Sequence, residues 1–176
     1  MATRSQLQFG YMNEGKFDPV AMIYDHWDGY PESRLLDINR AVVKAHENYK
    51  TSGGFSYRVQ STYPSDLSAF YILVNKSGAG GVEIDNNLHG DIEYLYQIWQ
   101  DDKTDNFMVK ILTTHQSEGE EYDPNKWKAF WDEPTVEKMR IEDCGALEDL
   151  IKKYVDPKQI EDLTEKGMMF KLVGDK

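Results

Sequence analysis

The chain has 176 residues, 40% of them hydrophobic and 12% aromatic, and carries a net charge of −11. That length suits one domain with room for an appendage, and the apolar content excludes a disordered chain. No apolar run approaches a membrane span, Met1–Gln8 has no signal-peptide core, and the single cysteine, Cys144, excludes an internal disulfide framework. We therefore expect a cytoplasmic protein with no membrane partner.

Thr3–Tyr11 alternates, with Leu7, Phe9 and Tyr11 on one face and Gln6, Gln8 and Gly10 on the other, as in a half-buried strand. Asn13-Glu14-Gly15 reads as a turn. Val20–Asp25 reads as a second strand, so a hairpin across a loop around Lys16–Pro19 is predicted. Ser33–Lys50 is the best helix. Pro31 precedes it, and Leu35, Leu36, Asn39, Val42, Val43, His46 and Tyr49 recur at spacings of three and four. Arg34, Asp37, Arg40 and Glu47 cluster away from that stripe.

Thr51–Tyr63, with Gly53-Gly54, is expected to be a loop. Leu67–Asn75 fits a helix capped by Ser65, although its aromatic and β-branched content also fits a strand. Gly78–Gly81 ends it. Gly81–Ile84, Asp91–Trp99 and Asn106–Leu112 are strand candidates, the last two joined across Gln100–Asp105. Residues 113–134 form a polar insertion. In it Asp123-Pro124 opens a helix that places Trp127, Phe130 and Trp131 on one side. Glu142–Tyr154 and Pro157–Lys166 read as helices and Met168–Val173 as a last strand.

The order predicts an α+β fold: a mainly antiparallel sheet with helices packed on one face. Residues 1–112 form the core domain. Residues 113–176 form an insertion and a C-terminal helical extension packed on it.

The acidity is unevenly placed. Residues 1–60 sum to zero, 61–135 to −9 and 136–176 to −2. Such a surface disfavours nucleic acid and anionic membrane. It suits a basic protein partner or mimicry of a phosphate backbone, and it also simply solubilises a chain.

The densest chemistry is His26-Trp27-Asp28-Gly29-Tyr30-Pro31, followed by Glu32, at the predicted strand-to-helix junction. Gly29 supplies freedom for a bend, and Asp28 and Glu32 suit a helix N-terminus. These residues make a capped, aromatic-pinned junction without further chemistry. They also make a candidate site. His26 and Asp28, two apart, share a face, so the carboxylate can orient the imidazole as a general base. Arg4 on the first strand could reach Asp28 or Asp25 and bind an anion beside His26. Tyr24, Trp27, Tyr30 and Glu32 are the candidate ligand-binding residues of the same bend, the aromatics stacking on a base.

The opening Met1-Ala2-Thr3-Arg4-Ser5, then Ile23-Tyr24-Asp25-His26-Trp27-Asp28-Gly29-Tyr30-Pro31-Glu32, Asp66-Leu67 and Gly90-Asp91-Ile92-Glu93-Tyr94-Leu95-Tyr96 resemble, in order, a group of small phage and bacterial proteins. Those proteins begin with a Thr-Arg strand and carry a Tyr-x-His-Trp-Asp-Gly-Tyr-Pro bend before their first helix. The likeness spans roughly the first hundred residues. It implies a phage or mobile-element setting and brings no activity with it.

Elsewhere the signals are weaker. His46 falls on the apolar stripe, His89 in a turn and His115 at a strand end. No His-x-x-x-His or Cys-x-x-Cys spacing exists, so neither metal nor cofactor is expected. Gly78-Ala79-Gly80-Gly81 lacks a following Lys-Ser/Thr and precedes a strand, so it is a turn, not a phosphate loop. Glu118, Glu120, Glu121 and Asp123 lie beside Trp127 and Trp131. This is either a solvated loop or an acidic, aromatic surface for a basic partner. Two functions remain open. One is a phage accessory protein that binds a host or viral protein, as in host interaction or counter-defence. The other is a small hydrolase or nucleotide-binding protein using His26, Asp28 and Arg4.

Overall fold

The computed structural model describes residues 3–51, 63–78, 81–117 and 119–170. Six strands, β1 (Ser5–Asn13), β2 (Lys16–Asp25), β3 (Val82–Asp85), β4 (Tyr94–Gln100), β5 (Phe107–Thr113) and β6 (Arg140–Ala146), form one sheet in the order β3-β2-β1-β4-β5-β6. Only β1 and β4 pair in parallel; every other pair is antiparallel. Five helices complete the α+β fold: α1 (Pro31–Thr51), α2 (Pro64–Asn75), α3 (Pro124–Asp132), α4 (Leu147–Tyr154) and α5 (Pro157–Glu165).

The first hairpin is tighter than the sequence predicts. Lys16–Pro19 belongs to β2, and the turn is Glu14-Gly15 alone, with φ of 50° and 82°. Two successive positive φ values match the twist of paired strands. A bulge at Val20 shifts the register after Phe9. There Gly10 passes so close to Asp18 that an added Cβ would sit 2.1 Å from its carbonyl oxygen.

Two cores form on the two faces of the sheet. Leu7, Phe9, Ile23, Tyr96, Ile98, Val109 and Ile111 pack against α1, α2 and α4. On the other face Tyr24, Leu95 and Leu112 pack with Ile92, Met139 and Phe130 of α3. The central strands are therefore covered twice. Gln6, Gln8 and Gln97, polar by alternation, are buried and hydrogen-bonded, Gln97 Nε2 donating to Gln8 Oε1 at 2.9 Å.

Several expectations change. Residues 142–146 extend β6 instead of a helix, because pairing with β5 overrides local propensity. Ser65 does not cap α2: Tyr63 holds that position without a side-chain bond, and Pro64 starts the helix. Met168–Phe170 is not a strand. Asn39 of α1 holds it, donating to the Met168 carbonyl and accepting from the Phe170 amide. Residues 171–173 and the expected loop at 52–62 lie outside the described residues. α3 forms as expected, with the Asp123 side chain accepting from the Asn125 amide.

Candidate functional site

The bend leaves β2 at Asp25 and enters α1 at Pro31. It is pinned by main-chain bonds: the His26 amide donates to the Gly81 carbonyl and the Gly29 amide to the Thr3 carbonyl. The positive φ falls on Asp28, at 50°, not on Gly29. Gly29 is needed for space, since an added Cβ would lie 3.0 Å from Arg4 and Ser5 atoms.

The bend holds a charge cluster that the sequence hides. Arg34 was expected away from the apolar stripe. Only 2% of its side chain is exposed, and it donates to Asp25 (2.5 Å), Asp37 (2.6 Å), Tyr71 (2.7 Å) and the Trp27 carbonyl. Tyr71 Oη in turn donates to Asp25. Arg40 bonds the second oxygen of Asp37 and reaches Asn75 of α2. Burial pushes the Asp37 carboxyl above its ordinary value, against the pull of Arg34 and Arg40. The Tyr71 hydroxyl is likewise pushed well up by burial.

This network opens into a polar cleft of about 340 Å³ walled by Trp27, Asp28, Asp37 and Arg40. Arg34 Nη1 and Nη2 and Arg40 Nε and Nη2 are engaged by carboxylates, the Tyr71 hydroxyl and carbonyl oxygens, while Arg34 Nε is buried without a hydrogen-bond partner among the described residues. The network fastens β2, α1 and α2 together.

The three residues singled out as catalytic are not brought together. Arg4 pairs with Asp91 at 3.0 Å, not with Asp25 or Asp28. The reason is topological: β4 runs parallel beside β1, and the Glu93 amide donates to the Arg4 carbonyl, which sets Asp91 at the arginine. His26 lies 3.6 Å from Glu83 and packs edge-on against the Tyr24 ring at 4.5 Å. Asp28 faces the cleft with Arg34.

The proposed stacking residues also separate. Tyr24 is buried between His26 and His89 and donates to Asp91 at 3.0 Å. Its hydroxyl is pushed up, first by burial and then by Asp91. Trp27, 62% exposed, stands at the cleft mouth. Tyr30 leans toward Tyr94, and Glu32 lies in the first turn of α1.

Around Tyr24 the fold assembles a second polar cluster. His89 bonds Asp85 and approaches Asp91, whose other oxygen takes Arg4 and Tyr24. Gln6 holds this loop by donating to the Asn87 carbonyl and accepting the His89 amide, both at 2.8 Å. Among the described residues no group of three or more His, Cys, Asp or Glu side chains is set to hold a metal ion.

The third place is α3. The Trp127 and Trp131 rings lie 4.9 Å apart, tilted by 37°, and are 42% and 46% exposed; Tyr122, just before the helix, is 71% exposed. Glu120 and Glu121 are exposed next to them, with Glu120 3.9 Å from Lys126. Glu118 lies outside the described residues. Phe130, on the same helix, is buried in the second core and roots the surface. Sequence reasoning found these aromatics through their helical spacing. It missed Arg34, Asp37 and Tyr71, whose partners come from three separate elements.

No protein-family model, curated protein or solved structure matches this chain. No helix among the described residues is long and apolar enough to cross a membrane.

Proposed function

We propose that this protein is a protein-interaction module, an accessory protein of a phage or mobile element that engages a basic partner in the host cytoplasm. The observation that carries the reading is the exposed aromatic surface at α3: Trp127 and Trp131 on the helix and Tyr122 in the segment just before it. Exposed tryptophan and tyrosine anchor interfaces, because they bury much area for little lost conformational freedom. Glu120, Glu121, Asp123, Asp132 and Glu133 flank them, within a stretch of the chain that sums to −9. The carboxylates steer a basic surface in, and the indoles hold it. The setting rests on the resemblance of the first hundred residues.

The test uses an arginine-rich peptide as probe, titrated by calorimetry at low and at physiological salt. Binding is expected to weaken at the higher salt and to fall about tenfold in Trp131→Ala and in Glu121→Lys. Affinity unchanged in both variants would overturn the assignment of this surface.

A further inference from the structure

Trp127 also lines a second cleft, of about 320 Å³. Three cations, Lys126, Lys138 and Arg140, line it against one carboxylate, Glu120. Its floor is apolar: Phe130 and Met139 are buried beneath it. Three cations gathered over an apolar floor, in a chain of net charge −11, mark the cleft out, and each has one carboxylate near it: Glu120, Glu133 and Glu142.

The three cations are not equivalent. The Lys138 ammonium donates to the Ala129 and Glu133 carbonyls and to the Glu133 carboxylate, so its protons are spent and it contributes charge and a fixed wall. The Arg140 guanidinium donates through Nε to the His115 carbonyl and through Nη2 to Glu142. These bonds orient the fork and leave Nη1 without a hydrogen bond among the described residues. Lys126 stands 3.9 Å from Glu120, beyond hydrogen-bond reach, and its side chain is exposed. Two cationic donors thus remain for an anion, beside an indole and above an apolar floor.

We propose that this cleft binds a nucleoside monophosphate. The base lies against Trp127 over Phe130 and Met139, and the phosphate takes Arg140 Nη1 and Lys126. The volume suits a ligand of that size. An indole stacks on any base, so the site is tolerant of base identity. A phosphate with two charged donors is held more firmly than a neutral group with the same geometry. The proposal does not rest on the partner-binding reading above, although Trp127 and Glu120 belong to both surfaces.

The test is calorimetric titration of the full chain with AMP, GMP, CMP and UMP, and separately with adenosine and inorganic phosphate. All four monophosphates are expected to bind, with adenosine and phosphate at least about tenfold weaker. Lys126→Gln and Arg140→Gln are expected to weaken AMP about tenfold and leave adenosine unchanged, while Trp127→Leu weakens both. A thermal melt of each variant checks the fold; Lys126 is exposed, so its variant keeps the test alive if Arg140→Gln unfolds. Glu121→Lys, outside the cleft, should leave AMP binding intact, which separates this site from the partner surface. The proposal is overturned if no monophosphate binds, if Lys126→Gln binds AMP like the wild type, or if phosphate alone binds as tightly as AMP.

Discussion

Arg34 of α1 donates through Nη1 to Oδ2 of Asp25 at the end of β2, at 2.5 Å, and both side chains are buried. The same guanidinium carries Asp37, Tyr71 and the Trp27 carbonyl. Without Arg34, Asp25 stays buried with no counter-ion, holding only the Trp27 amide and the Tyr71 hydroxyl, and Asp37 keeps Arg40 alone. Arg34→Met should therefore cost about 3–5 kcal/mol in urea unfolding. Arg34→Met combined with Asp25→Leu should cost less than the sum of the single changes, since the stranded charge is removed too. Simple additivity would mean that the network does not act as a unit.

Asp28 sits at φ 50° beside Gly29 on the cleft wall. Asp28→Gly should leave stability within about 1 kcal/mol of wild type, because glycine reaches this conformation freely but gains freedom when unfolded. Asp28→Val should cost more than that, since a β-branched residue is strained there. Equal stabilities by thermal melting would remove the backbone argument for the bend.

Gly90 meets α3 so closely that an added Cβ would lie 2.3 Å from the Trp131 carbonyl oxygen. Gly90→Ala must push α3 away or shift the loop that Gln6 holds. A loss of about 1–3 kcal/mol is expected, together with altered tryptophan fluorescence. A silent change would show that the helix does not rest on this loop.

Asp85 offers a pH test. Partial burial raises its carboxyl, but the Asn87 and Asn86 amides and then His89 outweigh it and hold the carboxyl below its ordinary value. A carboxylate lowered in the folded state adds stability above its unfolded pKa and loses it as pH falls through the folded one. Asp85→Asn should therefore be less stable than wild type by about 1 kcal/mol near neutrality. The two proteins should converge in strong acid. A gap that persists there would mean the effect is steric.

Much of the local structure was legible because it depends on near neighbours. Alternation in β1, the three-and-four spacing of α1, and the Asp-Pro starts of α3 and α5 each act over a few residues, and each element formed. The α+β class followed from strand-rich and helix-rich runs in order. The aromatic face of α3 was legible for the same reason, since Trp127 and Trp131 lie one helical turn apart. The 142–146 segment was not, because its strand character comes from pairing with β5.

The sequence by itself determined most of the elements, the bend and where the negative charge accumulates, all of which follow from composition and spacing along the chain; β6 is the exception. The tertiary structure alone decided which charges meet. The parallel seating of β4 beside β1 gave Arg4 to Asp91 instead of to the bend. The packing of α1 and α2 on β2 buried Arg34 among Asp25, Asp37 and Tyr71. Long flexible side chains take whichever partner the backbone brings within a few ångströms, and that choice belongs to strand order and helix packing, which no local pattern encodes.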